Sequence, residues 1–167
     1  MSNAFLISLF GHKAWCNTEL LSALRAAPKD LDRLSWATIL LTFDHITIVD
    51  RIFRARLESA EVEDIAVVAR AVPTLDDLAA RVSETDNWYL RYAAQISEPE
   101  LNEVITFTYV SDGDEGRMSR GDILAHVITH GASHRGAIGK MFETLGVAGA
   151  PDMVTTFRRL HPHPKSR

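Results

Sequence analysis

The segment LAHVITHGASHRG, residues 124–136, sets His126, His130 and His134 four residues apart. On an α-helix each such step advances by only about 40°, so the three imidazoles form one shallow stripe. Two consecutive members can converge on a single ion. With seven histidines in 167 residues, a triple of this spacing arises by chance in about one in a hundred sequences of the same composition, which makes it a hypothesis about metal binding rather than a motif. Neutral imidazole suits zinc, nickel, copper or iron, and a mononuclear site needs three or four ligands.

His45, in LTFDHITIVD, offers a third ligand from about the middle of a second helix, at a depth where a neighbouring helix would face His130. Bundle cores build metal sites in this way, from side chains of facing helices. Spacing alone leaves the alternative open that His45 is a core histidine bonded to a carbonyl. His126 and His134 are about 12 Å apart along the axis, too far to share one ion comfortably. His126 is therefore expected beside the site, behind a ligand or at the edge of a cavity. Arg135 would anchor a carboxylate or pair with an acidic residue at the bundle surface.

The elements that must position these groups are legible as apolar stripes of helical period. A first helix spans residues 3–27 and stops at Pro28, and a second spans 33–59 with Ser35 as its expected N-cap. A third runs from Thr74, an N-cap, to about residue 97, before Pro99. EVITFTYV, residues 103–110, alternates and runs into the turn-rich SDGDEG, which predicts a small hairpin. Ser119 with Asp122 three residues later opens a fourth long helix that carries the histidine stripe and closes at Gly146. APDMVTTFRRL adds a short terminal helix.

The expected architecture is all-α: a four-helix bundle with a β-hairpin between helices 3 and 4 and a short C-terminal helix. Residues 1–160 form one domain and residues 161–167 a flexible tail. Long connections at 60–73 and 98–118 leave room for joining helices that are not neighbours. Gly131, Gly136 and Gly139 inside the fourth helix each cost about 1 kcal/mol relative to Ala, which points to close helix approach or to room for a ligand, with close packing favoured at Gly139.

Composition excludes several classes. The net charge of −4 supplies no general attraction to nucleic acid, and no eighteen consecutive apolar residues occur to cross a membrane. The N-terminal run lacks the basic start and cleavage site of a signal peptide. Cys16 is the single cysteine, so no intrachain disulfide forms and a cytoplasmic setting is expected. Sequence alone reads Cys16 as a packing residue and His12, His161 and His163 as solvated. SDGDEG has too few correctly spaced oxygens for a calcium loop.

LFGHKAWCNTELLSAL, DHITIVDRIF and DILAHVITHGASHRGAIGKMFETLG followed by PDM together resemble the DinB/YfiT-like family of four-helix-bundle candidate metalloenzymes, which is distinct from the DNA polymerase sharing the name. The resemblance covers nearly the whole chain. It implies a divalent transition metal, nickel or zinc foremost and iron as a further option, held by His45, His130 and His134. It also implies kinship with S-transferases and isomerases that use low-molecular-weight thiols such as bacillithiol, mycothiol or glutathione, and a homodimer. The function expected is a metal-dependent enzyme that activates a water or a thiol toward a small-molecule substrate, with His126 and Arg135 as outer groups. The alternative is a non-catalytic metal-binding or stress-response bundle.

Overall fold

The computed structural model describes residues 3–62, 71–110 and 112–162. Its elements are α1 (Asn3–Ala26), α2 (Arg33–Leu57), α3 (Leu75–Gln95), α4 (Glu98–Leu101), β1 (Val104–Thr108), β2 (Glu115–Ser119), α5 (Arg120–Thr144) and α6 (Val154–Leu160). The fourth long helix of the sequence reading is thus α5. The expected tail falls largely at residues 163–167, outside the described residues, and His163 with it.

Local signals account for most boundaries. The Thr74 side chain accepts from the Asp77 N–H to start α3, and Ser119 and Asp122 form a full capping box at the head of α5. At the far end of α5, Val147 N–H bonds Phe142 O and Gly146 N–H bonds Glu143 O, with Gly146 at φ +67°. That is a Schellman closure, and the left-handed backbone it needs favours glycine. The expected cap of α2 is corrected. Asp32, not Ser35, is the N-cap, and Ser35 is one of the two residues whose N–H groups Asp32 receives. α4, a single turn with its own Ser97–Glu100 capping box, was not anticipated.

The hairpin pairs Phe107 directly with Gly116. A Cβ on Gly116 would lie 2.7 Å from the Phe107 ring, so the glycine is what lets that ring lie flat across the strand pair.

α1 packs mainly on α3 and α2 mainly on α5, with further packing of α2 on α3 and α1 on α5. Consecutive helices α1 and α2 are therefore not each other's main partners. The apolar interior divides into two clusters. One, with Phe10, Phe53, Tyr89 and Val127, lies toward the hairpin, and the other, with Leu20, Phe43, Ile46, Val82 and Ile138, lies toward the opposite end. Between them every long helix contributes polar side chains: Lys13 and Asn17 from α1, Asp44, Thr47 and Asp50 from α2, Thr85 and Asp86 from α3, and Arg135 from α5, all buried. The bundle has a polar waist.

Candidate metal centre

The waist is held together by opposite charges. The Lys13 ammonium lies 2.7 Å from both Asp50 Oδ2 and Asp86 Oδ1 and is 1% exposed. Burial alone would lower its pKa, but the two carboxylates outweigh that and hold it above the usual lysine value. Burial raises Asp50 to about 6 despite the ammonium beside it, so it is still ionised at neutral pH. Asn17 donates to Asp86 Oδ2, Arg135 donates to Asn17 Oδ1 at 3.2 Å, and Arg135 Nε bonds Asp152 Oδ2 at 2.7 Å. A continuous chain of polar contacts thus runs from α3 through α1 and α5 to the segment before α6.

At the level of this waist, packing of α2 on α5 gathers the three predicted ligands. The donor atoms of His45, His130 and His134 all lie within 4.8 Å of one another. His45 Nε2 and His130 Nε2 approach to 3.3 Å, and ring centroids are 4.8 Å apart for His45–His134 and 4.5 Å for His130–His134. Two imidazole nitrogens on one tetrahedral zinc, with bonds of about 2.05 Å, would be about 3.3 Å apart. Placement in the waist also explains Gly131, where a Cβ would meet Arg135 Nη1 at 3.1 Å. Gly136 and Gly139 have nothing within 4 Å of such a Cβ, so the close packing expected at Gly139 is not found.

The triad fits a cation on further grounds. Nδ1 of His130 is buried with no hydrogen-bond partner, and its Nε2 faces only another imidazole. Among the described residues no carbonyl or carboxylate oxygen offsets the burial of this ring, in contrast to an ordinary core histidine. Burial and the neighbouring imidazoles push the His130 pKa down to about 4, and burial followed by His134 lowers that of His45. Both rings are therefore neutral, the form that ligates metal.

His126 does not join the cluster. It stacks on His130 with centroids 5.3 Å apart, contacts the Phe53 ring, and faces a cavity of about 460 Å³. That cavity opens from His45 and His130 toward the hairpin, between Ile48, Val49, Ile52 and Phe53 of α2 and Phe107 and Val110. In its wall, Arg56 donates through Nη2 to Thr108 O, while its Nε is buried without a partner.

Arg135 is corrected from a surface position to a buried one, occupied by Asp152 and Asn17. His12 is corrected as well: it is 9% exposed, and Cys16, one turn on, lies 3.2 Å from its Nε2. The signal was present in the four-residue spacing of His12 and Cys16, which a search for paired histidines passes over. Nothing local in the sequence marks Lys13, Asp50 and Asp86 as partners, because their contacts join three helices.

A helical bundle with three imidazoles converging between two of its helices is a class of protein built around a candidate cation site. The chain belongs to the DinB family, whose model matches residues 1–165. It is similar to Protein DinB of Bacillus subtilis strain 168, at 22% identity over 157 residues, covering 88% of this chain and 90% of that protein. No solved structure matches it significantly. None of the helices among the described residues is long and apolar enough to cross a membrane.

Proposed function

We propose that the chain is a metal-dependent enzyme acting on a small, largely apolar electrophile. The observation that carries this reading is the contiguity of the three-imidazole cluster with the apolar cavity: His45 and His130 belong to both. A divalent transition metal, zinc or nickel foremost, held by His45, His130 and His134 supplies Lewis acidity that brings the pKa of a coordinated water or low-molecular-weight thiol toward neutrality. Three neutral ligands leave the full cationic charge uncompensated, which strengthens that effect.

The chain's own residues do the rest. Ile48, Val49, Ile52, Phe53 and Phe107 exclude water and orient an apolar group against the triad. Arg56, with an unpartnered Nε in the cavity wall, receives an anionic group of the substrate or thiol. His126, whose pKa burial lowers, is neutral and faces the same cavity, where it can take up the proton released from the nucleophile. With a thiol, a sulfur–carbon bond forms as the leaving group departs; with water, the product is that of hydrolysis.

The test is a screen of zinc- and nickel-loaded protein against chlorodinitrobenzene with glutathione, mycothiol or bacillithiol, and against nitrophenyl esters without thiol. Turnover that disappears in His130→Ala supports the reading. A metal-loaded protein with no turnover in either arm, or turnover unchanged in His130→Ala, overturns it in favour of a non-catalytic bundle.

A further inference from the structure

A second group of ligand-type atoms, which the reading above does not use, converges elsewhere on the bundle. Cys16 Sγ lies 3.2 Å from His12 Nε2 and 2.9 Å from Asp152 Oδ1, and the last two atoms are 3.8 Å apart. The structure assigns His12, Cys16 and Asp152 as a second cation site, of thiolate–imidazole–carboxylate type, selective for zinc or a similarly soft divalent ion.

The geometry is close to what such an ion requires. Tetrahedral zinc with bonds of about 2.0–2.3 Å sets its ligand atoms about 3.3–3.6 Å apart. The separations of 2.9, 3.2 and 3.8 Å reach that range with side-chain shifts of a few tenths of an ångström, the shortest being the hydrogen bond from the Cys16 thiol to Asp152 that an ion would replace. His12 and Cys16 are one helical turn apart on α1 and so share a face. Asp152 is brought to them by Arg135, which donates through Nε to Oδ2 at 2.7 Å and through Nη2 to Oδ1 at 3.3 Å, while Oδ1 also faces Cys16 and His12. Orientation of a ligating carboxylate by an outer hydrogen bond is the usual supporting arrangement of metal sites. The His12 ring is set between Trp15 and Phe157, with centroids at 6.0 and 5.6 Å.

A void of about 20 Å³ bordered by Cys16, Arg135 and Asp152 has room for one water as a fourth ligand. The two competing readings of the cysteine fare worse. Burial and the adjacent Asp152 push the thiol well above its usual range, so Cys16 is no free nucleophile, and a plain packing residue has no need of an imidazole and a carboxylate against its sulfur. Binding a divalent ion releases the thiol proton to solvent and ties α1 to the segment that enters α6.

The test uses the reduced, untagged full-length chain titrated with cobalt(II). Because Cys16 is the only cysteine, an intense near-ultraviolet thiolate-to-cobalt charge-transfer band reports this site alone. The expected result is such a band in wild type, bleached by zinc, absent from Cys16→Ser, retained in His130→Ala, and requiring at least tenfold more cobalt in His12→Ala and in Asp152→Asn. No band at saturating cobalt, with the thiol shown to be reduced after unfolding, overturns the assignment. So does a band of unchanged affinity in both His12→Ala and Asp152→Asn. Either failure leaves the triad untouched, since its ligands are separate residues.

Discussion

The Lys13 cluster and the histidine triad sit at the same waist of the bundle and are built on opposite rules. Around Lys13 each charge meets its opposite inside the protein, at 2.7 Å to Asp50 and to Asp86, with Tyr89 donating to the Asp50 carbonyl beside them. Around His130 like meets like: three imidazoles face one another, and one buried nitrogen has no partner. The first cluster balances its charges internally, with Asp50 Oδ1 as its one buried oxygen lacking a hydrogen-bond partner, whereas the second gathers three ligand-type nitrogens with no opposite charge set among them. Neither burial of polar atoms nor a single unpartnered one is thus by itself a sign of function; like ligand atoms gathered without a counter-charge are the stronger pointer.

The largest effect should come from breaking the compensated side. Lys13→Met leaves two carboxylates buried without a counter-ion and should cost about 3–5 kcal/mol in denaturant unfolding. A loss below about 1 kcal/mol would show that the waist is solvated rather than charge-paired. The same contact has a pH signature. Because the folded pKa of Lys13 lies above 10.5, its stabilisation is fully present at neutral pH and fades as pH rises through the folded value. Thermal melts above that point should fall more steeply in wild type than in Lys13→Met.

The triad should respond to ligand instead. In Cys16→Ser protein, free zinc at one hundred times its dissociation constant should raise stability by about 2.7 kcal/mol, and the further change His130→Ala should remove that gain. Smallest of all, His130→Ala in metal-free protein should alter stability by about 1 kcal/mol or less, since it deletes a ring whose burial nothing offsets. A metal-free loss comparable to that of Lys13→Met would erase the distinction between the two regions.

Sequence periodicity and capping residues were enough for the long helices, the hairpin and the facing of His45 to His130, because each depends on residues within a turn or two, or on the one contact between adjacent helices. Where a signal was ambiguous locally it misled: Asp32 and Ser35 are both good caps, and only the backbone shows which of them the N–H groups point to. Lys13 lies among the apolar residues of α1, three positions after Phe10, and Asp50 and Asp86 lie in like positions on α2 and α3. Which charge meets which is decided by the packing of α1 on α3 and by the level at which the helices cross, neither of which leaves a local mark. The meeting of Asp152 with Cys16, 136 residues apart, depends on the Asp152–Arg135 contact and is illegible for the same reason.

The central claim is that the three imidazoles hold one cation. Equilibrium dialysis against zinc followed by elemental analysis, on Cys16→Ser and on Cys16→Ser/His130→Ala, isolates it from the second site. The account predicts one tightly bound zinc per chain in the first protein and none in the second. No zinc in the first, or one retained in the second, would contradict it.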